Sequence, residues 1–128
     1  KIAKNIKNSK NLNTTNDLVD AIRISTPPHQ RNKTFARVFQ AIRIAVNGEI
    51  EKLKSFLDIF LRYLNKEGRL VIMSYHSLED RIVKNFFREL KRDNKVCVLT
   101  KKPITPSTTE IEHNRRARSA KLRALEKL

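Results

Sequence analysis

Gly68-Arg69-Leu70-Val71-Ile72-Met73-Ser74-Tyr75-His76-Ser77-Leu78-Glu79-Asp80-Arg81-Ile82-Val83-Lys84 is the stretch on which the fold class turns. Leu70 to Met73 is apolar at every position and follows a turn at Asn65-Lys66-Glu67-Gly68. Such a run reads as a central strand of a sheet covered on both faces. Ser77 with Asp80 offers a capping box, and Leu78, Ile82, Val83, Phe86, Phe87 and Leu90 line one face of the helix it would start. Upstream, apolar residues fall at 35, 39, 42, 46, 50, 53, 57, 60 and 64, every gap being three or four. That periodicity predicts helix from Phe35 to Leu64, bent or divided at Asn47-Gly48, because glycine costs about 1 kcal/mol relative to alanine inside a helix. Val96 to Leu99 is a second strand candidate. Helix, strand, helix, strand indicates an α/β layer and not a helical bundle.

The flanks are more basic and less regular. Lys1 to Lys10 is helix-compatible and is broken by Asn11-Leu12-Asn13-Thr14. Thr14 with Asp17 fits a capping box, and Leu18, Ala21 and Ile22 give the next helix one apolar stripe. This helix should stop before Thr26-Pro27-Pro28, and His29 to Lys33 reads as a basic linker. After Thr100, Ser107 and Glu110 offer a third capping box. Arg118 to Ala124 alternates polar with small or apolar side chains, as an antiparallel edge strand does, although Leu122, Leu125 and Leu128 also suit a helix.

Lys and Arg number 28 against 13 Asp and Glu, a formal charge of +15. The excess is +5 over residues 1–34, +2 over 35–65, +3 over 66–95 and +5 over 96–128, so it is concentrated at the two ends. Such a balance favours polyanionic partners, nucleic acid first, because each neutralised phosphate releases a condensed counterion. Cys97 is the only cysteine, which rules out a disulfide framework within the chain and suits a reducing, cytoplasmic setting. No apolar run approaches the roughly 20 residues needed to cross a bilayer, and no apolar signal region follows the basic first residues. A membrane or secreted protein is not expected.

Chemistry is densest at Ser74-Tyr75-His76-Ser77-Leu78-Glu79-Asp80-Arg81, where the predicted strand hands over to the helix. Ligands of open α/β sheets bind outside the carboxyl ends of strands, where helix N-termini present free N–H groups. Two readings stay open and are compatible: His76, Glu79 and Asp80 orient a substrate or move protons, or the segment simply caps the helix. A Ser–His–Asp hydrolase is excluded because neither Ser74 nor Ser77 has the glycine neighbour of a nucleophile elbow. A metal site lacks further ligands at useful spacing, His29 and His113 being isolated. Arg115-Arg116-Ala117-Arg118-Ser119-Ala120-Lys121-Leu122-Arg123, joined to Lys101 and Lys102, makes a candidate RNA-facing patch. A nucleotide or adenosyl cofactor normally sits on a glycine-rich turn. Here the only glycines are Gly48 and Gly68, and neither belongs to such a turn.

Four ordered blocks together resemble one family. Phe39-Gln40-Ala41-Ile42-Arg43-Ile44-Ala45-Val46-Asn47, the stretch from Gly68 to Lys84, Lys102-Pro103-Ile104-Thr105-Pro106-Ser107, and Arg116 to Arg123 are similar to the bacterial 16S rRNA cytosine-N4 methyltransferases. Arg115 departs from the proline that family usually carries after Asn114, and Ala117 is a tolerated variant.

The resemblance implies an α/β chain forming the C-terminal half of a Rossmann-like class I methyltransferase fold. Residues 34–128 would be the later part of the catalytic domain, and residues 1–33 the end of an inserted all-helical domain. It implies an S-adenosylmethionine-dependent enzyme that methylates a P-site cytosine amine in 16S rRNA of the small subunit. The family's main cofactor loop lies upstream of these residues, so the chain by itself is expected to be inactive. His76, Glu79 and Asp80 would border the target pocket, with Gln40, Arg43 and Asn47 supporting it from the preceding helix. Lys101, Lys102, Arg116, Arg118, Lys121 and Arg123 would hold rRNA phosphates. The rival class is a non-catalytic RNA-binding module, or a half that complements a separate N-terminal half; cofactor binding discriminates them. A truncated sheet would also expose Leu70 to Met73 and favour self-association.

Overall fold

All the regular structure in the first part of the chain is helical. The computed structural model describes residues 1–128, which divide into two compact units, Lys1–Glu49 and Ile50–Leu128. The division falls just after the Gly48 break.

In the first unit α1 spans Ile2–Asn8, α2 Thr15–Arg23 and α3 Arg31–Asn47. The start of α2 is the expected capping box: Thr14 Oγ1 accepts from Asp17 N, and Asp17 Oδ2 accepts from Thr14 N at 2.8 Å. Ala21 and Ile22, on the apolar stripe of α2, are buried. The expected linker at His29 to Lys33 is instead helical, because a 3-10 turn at Pro28–Gln30 runs directly into α3. Proline at the first position of that turn sacrifices no helical hydrogen bond. Gly48 ends α3 with φ of 60°, the left-handed region that favours glycine, so the nine-position apolar repeat becomes two helices.

The second helix of that repeat, α4, spans Glu49–Ile59 and closes in a 3-10 turn at Phe60–Arg62. Then come β1 (Arg69–Ser74), α5 (Ser77–Arg92), β2 (Val96–Val98), α6 (Thr108–His113), a 3-10 turn at Arg115–Ser119 and β3 (Lys121–Lys127). The sheet order is β1-β3-β2, with β3 antiparallel to both neighbours. β1 and β2 thus run in the same direction, joined through α5, with the last strand inserted between them.

Leu57, Phe60, Val83, Phe87, Leu90, Val96 and Leu125 form the core, Val83, Phe87 and Leu90 being the apolar face of α5. Leu70 and Ile72 pack against this core from β1. Two strand expectations are corrected. β1 is an edge strand covered on one face, since Val71 and Met73 on the alternate positions are about half exposed, at 55% and 51%. The strand expected at the edge, β3, is central, and its Arg123, Ala124 and Leu125 are buried in succession because both of its faces are covered. It also begins later than expected, residues 115–119 being a 3-10 turn. No parallel pair forms within the chain, because β3 takes the position between the two codirectional strands.

Turns fix the ends of these strands. Gly68 N donates to Asn65 O at 2.9 Å, and a Cβ on Gly68 would lie 2.8 Å from that oxygen, so only glycine closes the turn unchanged. Lys127 Nζ donates to Leu61 O and Leu64 O at 2.9 and 2.7 Å, satisfying carbonyls left open after α4. Arg69 and Glu126, paired across β1 and β3, meet at 2.8 Å.

Truncating a core side chain separates the two faces experimentally. Phe87→Ala is expected to lower unfolding free energy by about 3–5 kcal/mol, whereas Val71→Ala, on the uncovered face, stays within about 0.5 kcal/mol of the parent. Denaturant melts of both variants check this, and equal losses would return β1 to a doubly covered position.

Candidate functional site

The site is built where β1 ends. Ser74 is buried, the chain turns at Tyr75 and His76, and α5 begins at Ser77. The helix cap lies one residue earlier than the sequence pattern suggested. His76 has extended backbone angles, its Nδ1 accepts from Glu79 N at 3.2 Å, and Glu79 Oε2 accepts from His76 N at 3.2 Å and Tyr75 N at 2.9 Å. Ser77 and Asp80 therefore do not form the box. Ser77 is already the first helical residue, and Asp80 is drawn to the sheet by arginine.

This hydrogen-bond network assigns the tautomer of His76. With Nδ1 accepting, the neutral ring carries its proton on Nε2. Nε2 is buried and lies 3.3 Å from Glu79 Oε1, within ion-pair reach but out of line for a hydrogen bond. A neutral His76 in this state has no free lone pair for a substrate proton. It holds the turn; it does not stand ready as a base.

Asp80, at the first turn of α5, meets the central strand. Arg123 Nε donates to Asp80 Oδ1 at 2.7 Å and Nη2 to Oδ2 at 3.4 Å, while Lys121 Nζ stands 3.6 Å from Oδ2. Both Asp80 and Arg123 are buried, at 9% and 6% exposure. The Arg123 hydrogen bond holds the Asp80 carboxyl below its usual value of 3.8; burial opposes this, and the charges of Arg123 and Lys121 reinforce it. Arg123 is thereby corrected: its guanidinium is spent inside the fold and is not available to a phosphate.

A cleft of about 280 Å³ opens on the other face of the sheet. The alternation of β1 puts Leu70 and Ile72 toward α5 and Met73 away from it, and Met73 pairs in register with Leu122. Met73, Leu122, Ile104, Pro106, Ala117 and Ala120 are the apolar walls. Tyr75, Thr105, Glu110, Asn114 and Arg116 supply polar groups. The Ile104 segment is held by reciprocal backbone bonds with Leu122, at 2.9 and 2.8 Å. Ser107 Oγ accepts from Glu110 N to start α6, and Asn114 Oδ1 accepts from Arg116 N to start the following turn. The Tyr75 hydroxyl donates to Met73 Sδ at 3.2 Å, which lays the ring along the cleft mouth. Arg116 is exposed and makes no ion pair, so its guanidinium is free for an anion.

The sequence-derived set is thus divided. Of it, Arg116 alone lines the cleft; His76, Glu79 and Asp80 do not. Lys101, Lys102 and Arg118 are exposed, whereas Lys121 is half-buried against Asp80. In the first unit Arg43 Nε and Asn47 Nδ2 converge on Glu49 Oε1 at 3.0 Å each, and Gln40 lies half-buried earlier on α3. Tyr75, Glu110 and Asn114 also line the cleft and lie outside that set; an aromatic placed directly between a strand end and a helix cap is the signal that points to Tyr75.

An adenosyl cofactor finds no cradle among these residues. Gly48 caps a helix, Gly68 closes on its own turn, and the turn into α5 carries the side chains of Ser74, Tyr75 and His76. At that turn the carboxylate of Glu79 already takes the N–H groups of Tyr75 and His76.

Comparison with known proteins adds a family. The model of the MraW methylase family matches residues 1–128. The chain is 48% identical over 132 residues to the ribosomal RNA small subunit methyltransferase H of Kosmotoga olearia, covering 100% of this chain and 44% of that protein. It is 47% identical over 131 residues to the protein of the same name from Petrotoga mobilis, covering 99% and 45%. For the one from Caldicellulosiruptor saccharolyticus the identity is 46% over 147 residues, covering 100% and 48%. The chain spans less than half the length of these curated relatives.

The Asp80–Arg123 pair yields a stability test. Removing one partner of a buried pair leaves an uncompensated charge, so Arg123→Met is expected to destabilise by about 3–5 kcal/mol, with much of that recovered in Asp80→Leu/Arg123→Met. Because the folded-state pKa of Asp80 is depressed, its contribution is fully present above the unfolded value and disappears as pH falls through the folded one. Wild type and Asp80→Asn should therefore differ in stability by a constant amount from neutral pH down to the ordinary carboxylate range, and converge below it. Equal stabilities near neutral pH would contradict the pairing.

Proposed function

This chain belongs to the MraW methylase family, and from that premise we propose that it is part of an S-adenosylmethionine-dependent enzyme that methylates the N4 amine of a cytosine in the P site of 16S rRNA. One observation carries the reading: an apolar cleft edged by Tyr75 and Arg116 opens at the carboxyl end of β1, in a chain matched by that family from end to end. At about 280 Å³ the cleft falls just under the range of drug-sized ligand pockets, which suits a single base with its phosphate outside.

The chemistry assigns the work. A cytosine amine is a weak nucleophile because its lone pair is delocalised into the ring, so the enzyme must hold the base out of its stack and in line with the methyl donor. Tyr75 supplies a face for the base to stack on, and Arg116, with Lys101, Lys102 and Arg118 as further exposed cations, holds the flanking phosphates. Glu110 and Asn114 offer acceptors to the base edge. His76, Glu79 and Asp80 act as positioning residues: the first two fix the turn that carries Tyr75, and Asp80 ties the start of α5 to β3. The residues present do not fit an adenosyl group, and no step is assigned to it within this chain.

The same reading makes the chain a portion of a longer Rossmann-like domain, with Lys1–Glu49 contributing the end of an RNA-recognising helical insert. The outer edge of β1 would then be covered by further strands of the same sheet. Self-association is the other way to cover it; the relatives, more than twice as long, favour the first. The setting would be the cytoplasm, where small subunits are made.

Transfer of labelled methyl from S-adenosylmethionine to small subunits lacking the modification tests the proposal. The complete enzyme transfers and this chain alone does not. Within the complete enzyme, Tyr75→Ala should lower kcat/KM about five- to a hundred-fold, the worth of one stacked base, while Tyr75→Phe stays near wild type. An unaffected Tyr75→Ala enzyme would remove the base from this cleft.

A further inference from the structure

The outer face of α5 carries a charge pattern that the cleft does not use. At about 100° per residue, Arg81, Lys84, Arg88, Lys91 and Arg92 fall within an arc of about 100°. All five are exposed, and no acidic or apolar side chain shares the arc. Of the five, Arg92 alone touches an acid, standing 3.5 Å from Asp93; the others make no ion pair or side-chain hydrogen bond. Of the helix's other acids, Asp80 faces the sheet and Glu79 the cap, while Glu89 lies outside the arc, bordering the row beside Arg88, Lys91 and Arg92 and reaching toward α4 without an ion pair to any of them.

Folding does not call for this arrangement. Like charges three and four residues apart repel along a helix, and Arg81 sits near the N-terminal end, where the helix dipole opposes a cation. Lys91 and Arg92 at the other end are the only two that the dipole favours. The apolar face of α5 is buried in the core, and Leu78 alone is exposed, so the helix has no continuous apolar face to lay into a lipid surface. The aromatic residues of α5, Phe86 and Phe87, pack inward, leaving no platform for unstacked bases. What remains is a rigid row of cations about 16 Å long, a length along which one strand of a duplex carries about five phosphates.

We propose that the outer face of α5, through Arg81, Lys84, Arg88 and Lys91, docks the phosphate backbone of an RNA duplex without reading its sequence. This rests on the reading of RNA as the substrate and adds a second contact. The sheet separates α5 from the cleft, so the duplex held here is a different segment from the strand that enters the cleft.

The test is fluorescence anisotropy of a labelled short RNA duplex of arbitrary sequence with this chain and with R81Q/K84Q/R88Q/K91Q, whose changes all lie away from the core. A K52Q/K54Q/R62Q/K66Q variant removes equal charge outside α5, and circular dichroism verifies folding of each. The α5 variant should bind the duplex at least about ten-fold more weakly at moderate salt, and its salt-dependence slope should drop by about 3. The other variant should lose much less. Equal losses in both variants, an unchanged slope in the α5 variant, or binding of the stripe to phosphatidylserine vesicles with none to duplex would each overturn the proposal. Should the complete enzyme fail to methylate small subunits while the α5 variant still loses duplex binding, the methylation reading falls and this surface stands.

Discussion

Arg123 and Asp80 hold each other in a buried two-point ion pair, and the arrangement of the second unit follows from where that pair sits. Arg123 belongs to the strand that closes the sheet from between its neighbours, and Asp80 to the first turn of the helix that crosses over it. Leu125, two residues along the same face of β3, enters the core with Val83 and Phe87. One face of one strand thus sets both ends of the packing: an ion pair at the start of α5 and apolar contact along its length. A buried pair of this kind contributes little net stability against a hydrophobic replacement, but it penalises any register that leaves either charge alone. Sliding β3 by one residue would turn Arg123 to the opposite face and strand Asp80.

The pair also separates two kinds of basic residue that a charge count treats alike. Arg123 and Lys121 are consumed by Asp80, Arg69 by Glu126, and Lys127 by the carbonyls after α4. Arg116 and, Arg92 apart, the outer row of α5 have no such obligations. A net charge of +15 therefore overstates what is open to a polyanion, while the unpaired cations sit on the two sides of the sheet where a large substrate could reach them.

Much of the fold was legible because its signals are local. Thr14 and Asp17 form their capping box, the repeat from Phe35 to Leu64 is helical and divides at Gly48, and Leu70 to Met73 and Val96 to Val98 are strands. What was not legible depends on partners distant in sequence. Val71 and Met73 look buried as a run, yet coverage depends on which strands and helices arrive, and here only one face receives them. Arg123 reads as one more cation in a basic tail until Asp80, 43 residues away, is brought beside it. His76 in place of Ser77 as the cap is subtler. Serine is the commoner cap, but once Asp80 is committed to the sheet the box can close only between His76 and Glu79. Within the cluster from Ser74 to Arg81, His76, Glu79 and Asp80 are engaged in the cap and the sheet, Arg81 is exposed, and the tyrosine faces the cleft.

That reversal bears on where the reaction chemistry can lie. A helix N-terminus beyond a strand is an anion site when its N–H groups are free and the chain before it is glycine-rich, so that the ligand can approach the backbone closely. Here a carboxylate of the protein itself takes the N–H groups of Tyr75 and His76, and an imidazole takes that of Glu79. A ligand anion approaching the N–H groups of Tyr75 and His76 would have to displace Glu79. Both glycines close turns of their own, which leaves no second place for close backbone approach. The remaining open polar groups are those of the cleft, Tyr75, Glu110, Asn114 and Arg116, set on apolar walls. They suit a flat, partly apolar ring with an anion at its edge better than a cofactor bearing its own charged chain.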